Sequence, residues 1–377
     1  MYYKEQRYEK AKASTFAATH TVALPDTGLV DSISLYLRAQ NSNNPEAVAP
    51  SDLLHHLTKV EIIGDTDKTI FSMTGECAMA KAYRKMRSLP PYKQNEYGNK
   101  SQDLLIPIFF GRRFHDGKYA LDLSQWDKVD LKVTNDVTTS YLTAASLNME
   151  TRLCTIEDAT QAYNKFLKQW EYQTDVPAVA TDYVRPKLPT KGLLRSLMIQ
   201  LDPVISATTG AMTADPAGDS YNWKLWFKDR ALTIFDHRPR DIMRDEHRRL
   251  GMGISYSKPY PSTTHYTDMQ WAEVVAVAMS HIKENGADVT VCSLNDSRDR
   301  FQTVAYAGGG TFYQAVAHGV GFRHTFEIPW FTDDEEAEYL NLDAYKPVEI
   351  EWYGYNYYNT HRIILEKPVA QGSAGYE

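Results

Sequence analysis

Residues 24–37, LPDTGLVDSISLYL, return 164 positions later as residues 188–201, LPTKGLLRSLMIQL. Leu24, Pro25, Gly28, Leu29, Ser32 and Leu37 meet Leu188, Pro189, Gly192, Leu193, Ser196 and Leu201, and three further positions stay aliphatic. The hydrophobic pattern carries more than the identities. Side chains of an extended strand alternate with period two, so Leu29, Ile33, Leu35 and Leu37 share one side, as do Leu193, Leu197, Ile199 and Leu201. The polar break also falls in register, at Asp31 and Arg195.

A second pair follows in the same order, LDLSQWDKVDLKV from Leu121 and LNLDAYKPVEIEW from Leu340. Each has Leu-x-Leu, an aromatic three residues on (Trp126, Tyr345), then a strand with Val129, Leu131 and Val133, or Val348, Ile350 and Trp352, facing inward. Upstream, LIPIFFG and FEIPWF each set a proline among apolar residues, Pro107 and Pro329, where a missing N–H is best tolerated at a strand end or edge. The offset grows from 164 to 219, so the second copy carries about 55 extra residues, which predicts longer loops on a shared core.

The chain has 377 residues, enough for two domains, and its 43% hydrophobic and 24% charged residues are those of a globular protein. A net charge of −7 supplies no positive field for a nucleic-acid backbone, which excludes sequence-specific nucleic-acid binding as the expected role. The opening residues lack the apolar core of a signal peptide, and no stretch approaches the roughly 20 apolar residues of a spanning helix; a soluble chain is expected. Cys77, Cys154 and Cys292 are widely spaced and read as free thiols.

The fold class read from this pattern is all-β with short helical insertions, in two tandem β-sandwiches of jelly-roll size. Residues 1–20 read as an N-terminal arm, 21–156 as the first sandwich, 157–186 as a linker, 187–367 as the second sandwich with longer loops, and 368–377 as a C-terminal tail. Within these, IIGDTDKTIF reads as a hairpin. PSDLLHHLTK with Ser51 as cap, GECAMAKAYRKM, EDATQAYNKFLKQW and RPRDIMRDEHRRLG read as helices, the last with an exposed basic face.

No hydrolase elbow, zinc-protease, C-x-x-C or phosphate-loop motif occurs, so no catalytic, cofactor-binding or metal-binding residue is assigned and no cofactor is expected. His318 and His324 read as ordinary histidines, and the adjacent His55 and His56 as a poor ligand pair. AGGGTF at residues 307–312 reads as a tight turn, and the acidic run Asp333, Asp334, Glu335 and Glu336 as a solvated loop. The aromatic stretch with Trp352, Tyr353, Tyr355, Tyr357 and Tyr358 suits an interface or a sugar platform.

Taken together, the paired openings, SDLLHHLTKVEIIGDTDKTIFSMTGE, and the two later segments running from LLIPIFFG and HTFEIPWF resemble the double jelly-roll major capsid proteins of tailless icosahedral double-stranded DNA viruses, over roughly residues 21–367. The resemblance implies a structural virion protein, not an enzyme, made in the host cytoplasm. It implies a homotrimer forming a pseudo-hexagonal capsomer, with further contacts to other capsomers, penton and minor capsid proteins, and an internal membrane near the N-terminal arm. It also implies that the longer loops of the second copy form an outer tower. The alternative reading is a tandem β-sandwich that binds or cleaves carbohydrate, motivated by the aromatic strands and the acidic run. A minor spike or receptor-binding protein of a virion would share the fold class.

Overall fold

The structure is a computed structural model, and it describes residues 1–373 apart from 14–15, 41–52, 91, 94–100, 138–142, 144–146, 176–182, 204–221, 252, 258–264, 269–270, 283–291, 296–299, 304–311, 332 and 354–357. The first half runs β1 (Tyr2–Ala13), β2 (Thr19–Ala23), β3 (Leu29–Gln40), β4 (Lys59–Gly64), β5 (Lys68–Met73), α1 (Gly75–Met86), β6 (Tyr92–Lys93), β7 (Ser101–Phe109), β8 (Leu121–Asp122), β9 (Val129–Thr134) and β10 (Asn148–Glu157). The second begins with β11 (Lys165–Asp175), β12 (Tyr183–Val184), β13 (Leu193–Leu194), β14 (Ser196–Pro203), β15 (Trp223–Phe227), β16 (Leu232–His237) and α2 (Pro239–Leu250). Six strands follow: β17 (Gly253–Ser257), β18 (His265–Asp268), β19 (Trp271–Ile282), β20 (Cys292–Asn295), β21 (Arg300–Thr303) and β22 (Phe312–Phe322). The chain closes with β23 (Thr325–Pro329), β24 (Leu340–Asn341), α3 (Leu342–Tyr345), β25 (Val348–Tyr353) and β26 (Tyr358–Ala370).

The repetition extends to register and hydrogen bonds. Leu29 and Val30 face Asp122 and Leu121, and Leu193 and Leu194 face Asn341 and Leu340. Leu24 N donates to Val129 O at 2.8 Å, and Leu188 N to Val348 O at 2.8 Å. Gly28 O accepts from Leu123 N and Gly192 O from Leu342 N, and both glycines hold positive φ (+127° and +84°), where a side chain would be strained. The two 12-residue helices α1 and α2 also stand 164 positions apart. One landmark moves: Ser32 faces Phe109 and its counterpart Ser196 faces Pro329, so Pro329 matches Phe109, two residues beyond Pro107.

Each copy builds two facing sheets. In the first, β1-β10-β3-β7-β6 opposes β2-β9-β4-β5; in the second, β11-β26-β14-β23 opposes β12-β25-β15-β16. Inward Ile33, Leu35, Leu37, Val60, Ile62, Leu131 and Val133 fill one core, and Leu197, Ile199, Leu201, Trp223, Leu225, Ile350 and Trp352 the other. Each such side chain removed from water contributes about 1.5–3 kcal/mol. The IIGDTDKTIF hairpin forms as read, with Asp65 and Thr66 at positive φ in its turn. The extra residues of the second copy lie between α2 and β23, where β17-β22-β19 and β18-β21-β20 form two three-stranded sheets.

Four local expectations are corrected, the first being the C-terminal tail, since residues 368–370 end β26 and pair with Leu167, Phe166 and Lys165 of β11. Residues read as an arm form β1, paired along β10, and residues read as a helix in EDATQAYNKFLKQW form β11 from Lys165 onward. PSDLLHHLTK holds a turn at 53–56 in place of a helix, and Ser51 lies outside the described residues. GECAMAKAYRKM and RPRDIMRDEHRRLG are helices as expected, α1 opening on Thr74, whose hydroxyl accepts from Cys77 N at 3.3 Å. Among the described residues no helix is long and apolar enough to cross a membrane.

A glycine fixes one close contact in the first core. A Cβ on Gly64 would stand 2.2 Å from Cε3 of Trp126, the aromatic that follows Leu-x-Leu. Gly64→Ala is expected to destabilise the fold by about 1–3 kcal/mol, because a rigid ring must shift. Urea denaturation checks this, and an unchanged midpoint would show that the ring has room to move.

Candidate functional site: the ionic seam between the two sandwiches

Helix α1 carries Lys81, Arg84 and Lys85 at i, i+3 and i+4, so the three cations leave one face. That face meets the second sandwich. Lys81 Nζ reaches Ser196 Oγ at 2.8 Å, Glu366 Oε2 at 2.8 Å and the Glu327 carboxylate. Arg84 pairs with Glu246 of α2 and donates to Thr325 Oγ1 (2.8 Å) and Thr325 O (3.0 Å). Lys85 forms an ion pair with Glu366 Oε1 at 2.5 Å and donates to two carbonyls of its own sandwich, Phe109 O and Gly111 O.

Arg195, the polar break of the second opening, completes the cluster. It meets Glu366 Oε2 at 2.5 Å and spans both carboxylate oxygens of Asp334 at 2.8 and 2.7 Å. Four cations (Lys81, Arg84, Lys85, Arg195) thus face four carboxylates (Glu246, Glu327, Asp334, Glu366), and Glu366 is wholly buried. Burial alone would raise the Glu366 and Glu327 carboxyls. The Arg195, Lys81 and Lys85 charges hold Glu366 well below the usual range, and Lys81 and Arg84 hold Glu327 down at about 2. Lys85 is lowered to about 8 by burial, against the pull of Glu366.

Within the acidic run Asp334 belongs to this seam, whereas Asp333 and Glu335 stay exposed as a solvated loop would have them. Besides the Asp334 pair, Glu335 Oε2 accepts from Lys118 Nζ at 2.6 Å and Glu336 Oε2 from Lys165 Nζ at 2.6 Å. Arg112, locked onto buried Asp116 by bonds of 2.8 and 2.9 Å, donates to Asp334 O at 2.7 Å. Basic residues far upstream in sequence neutralise the run, and nothing in its local pattern signals them.

A backbone ladder runs alongside the charges. β11 pairs antiparallel with β26 and parallel with β5 through Gln169↔Phe71 and Trp170↔Ser72, giving one eight-stranded sheet, β2-β9-β4-β5-β11-β26-β14-β23, across both copies.

The remaining residues singled out in the sequence fall elsewhere. His55 turns to Glu76 at 3.3 Å and His56 to Asp136 at 2.9 Å. His324 is buried in the turn before β23, whereas the side chain of His318, in β22, and residues 307–311 lie outside the described parts. Trp352 stacks on Trp223 at 4.4 Å inside the second core, so it fills space there and offers no platform; Tyr355 and Tyr357 lie outside the described residues. Cys77 and Cys154 are free and buried.

One group of mixed donors escaped the sequence reading, because its members are distant in the chain: Asp31, His115 and Cys154, with donor atoms within 4.8 Å of one another. Burial raises the Asp31 carboxyl to about 6 and the Cys154 thiol to about 11. His115 is stacked between Tyr3 and Phe114, each at 3.7 Å, and its Nε2 stands 4.0 Å from Cys154 Sγ. Asp31 Oδ2 accepts from the His115 amide at 3.3 Å, so the three residues pack together in the first sandwich.

The seam sets a pH dependence. Glu327 has a folded pKa below its unfolded value, so between about 4.5 and about 2 the unfolded chain binds more protons. Its contribution is therefore complete above that window and lost as pH falls through it. Glu327→Gln should lower stability at neutral pH by about 3–5 kcal/mol, since it leaves Lys81 and Arg84 short of a buried partner. It should also flatten the decline between pH 4.5 and 2, and denaturant midpoints measured against pH read both effects.

No protein-family model matches the sequence, and no curated protein matches it. Solved structures do resemble this arrangement. The major capsid protein of Sulfolobus turreted icosahedral virus aligns over 98% of this chain and 97% of its own, with TM-score 0.61 and 9% identity. Major capsid protein P2 of bacteriophage PM2 aligns over 100% of both chains, with TM-score 0.55 and 8% identity. VP54 of PBCV-1, fitted into a reconstruction of the virophage Sputnik, aligns over 98% and 95%, with TM-score 0.56 and 8% identity. Identities this low speak of fold. The chain has the double jelly-roll fold that these capsid proteins share.

Proposed function

We propose that this chain is a structural major capsid protein that trimerises into a pseudo-hexagonal capsomer and tiles an icosahedral shell. The observation that carries the reading is the register-level repetition of two sandwiches, rigidly joined side by side, along a chain that matches a known major capsid protein over nearly its full length. A threefold assembly of doubled sandwiches presents six similar units, and closed symmetry buries large interfaces without forming filaments. The division into two sandwiches belongs to this proposal, supported by two core clusters drawn chiefly from the two halves, with β11 of the stretch read as a linker serving as a strand of the second. So do the virion location, synthesis in the host cytoplasm, contacts with neighbouring capsomers, penton and minor capsid proteins, and an outer tower built from the strands between α2 and β23.

The function is architectural and not catalytic in this reading. Two features that motivated a carbohydrate role are taken up within the fold: Trp352 lies in the core, and Asp334 is paired with the buried Arg195.

Light scattering of the purified chain is expected to give three times the monomer mass, and negative-stain micrographs hexagonal outlines. A strict monomer at the highest soluble concentration, or release of reducing sugar from a glycan panel, would overturn the proposal.

A further inference from the structure

The seam inside one chain is a template for the seam between chains. By register, β1 is the counterpart of β11: Glu5 faces Cys154, which faces Ser32, and Gln169 faces Glu366, which faces Ser196. Glu5 and Gln169 are 164 positions apart, as are Ser32 and Ser196. Likewise β16 is the counterpart of β5, the second strand of a hairpin leading directly into the 12-residue helix. Inside the chain, β11 adds to the edge of β5. The equivalent edges, β1 and β16, each end their sheets with no further strand among the described residues.

Both edges expose apolar surface. Tyr2 (55%), Tyr8 (41%) and Leu232 (47%) are among the few large hydrophobic side chains left open to solvent. An open edge with apolar side chains invites strand addition. The helices repeat the asymmetry. On α1, Lys81 and Arg84 are buried against the second sandwich, whereas Asp245 and Arg248, at the same positions of α2, keep 66% and 83% of their side chains exposed.

Resting on the capsomer reading, we infer that β1 of one chain pairs in parallel with β16 of a second copy, with Glu5 opposite Phe235 and Gln6 opposite Asp236. This transfers the register of Gln169↔Phe71 and Trp170↔Ser72 by one repeat. The first sandwich of the chain that supplies β1 then covers the open face of the second copy's α2. The strands β12-β25-β15-β16 of one chain and β1-β10-β3-β7 of the next make a second eight-stranded sheet, equivalent to the internal one. The contact is head-to-tail, and three of them close a ring in which all six junctions between sandwiches are alike.

The test is oxidative cross-linking of the full chain carrying Gln6→Cys and Asp236→Cys, both exposed positions. Neighbouring strands lie about 4.8 Å apart, within reach of a disulfide. Covalent dimers and trimers are expected from this pair and from neither single variant. A Lys10→Cys and Asp236→Cys pair, four residues out of register or about 13 Å, should not link. Arg248→Glu should weaken the trimer at least tenfold with the monomer's melting unchanged. A trimer by light scattering that links out of register, or not at all, overturns the strand pairing and leaves the capsomer reading standing; a monomer overturns both.

Discussion

Two parallel main-chain pairings, Gln169 with Phe71 and Trp170 with Ser72, join the two cores into one body. A sandwich leaves strand edges open, and open edges are where chains stick to whatever strand comes next. Here β11 closes the edge of its own sandwich against β26 and, on its other side, the edge of the preceding sandwich at β5. The ladder fixes height and direction. Because opposite side chains must fall on the same face, a slip of one residue would turn every apolar residue of β11 to the wrong side.

The charges beside the ladder fix the remaining freedom. Apolar faces slide at little cost, whereas a buried carboxylate such as Glu366 tolerates only the geometry in which Arg195, Lys81 and Lys85 all reach it. Replacing such a cluster by apolar packing is often neutral or better for stability, so its role lies in position more than in strength. Lys85 illustrates the point: it holds carbonyls of its own sandwich and a carboxylate of the other at once.

Much of this was legible in the sequence where burial is one-sided. On β9, Val129, Leu131 and Val133 alternate with half-exposed partners, and Val348, Ile350 and Trp352 keep the same sequence period on β25. It failed where both faces are covered. In β11, Phe166, Leu167, Lys168, Gln169 and Trp170 are all buried, so no alternation survives and the spacing of Phe166, Leu167 and Trp170 imitates a helix. β1 failed for the opposite reason: most of its described side chains, those of residues 2–10, are exposed in the single chain, so its pattern reads as an arm. The acidic run misled because its partners, Arg112, Lys118 and Lys165, lie some 170–220 residues upstream.

The copies diverge where their surroundings differ. Asp31 occupies the place of Arg195 and Cys154 that of Glu366, so the buried ion pair of the second sandwich is absent from the first, where Asp31 Oδ2 accepts instead from the His115 amide at 3.3 Å. The internal seam forms once, during folding, and its charges stay out of water thereafter, so a dense buried cluster is sustainable there. A face that spends time free in solution works under another constraint. Its charges must remain hydrated until a partner arrives, and the exposed Arg248–Asp245 pair at 3.1 Å on α2 meets that requirement. Such a pair contributes little to stability and is screened by salt, so its charges stay hydrated while the helix face stays open.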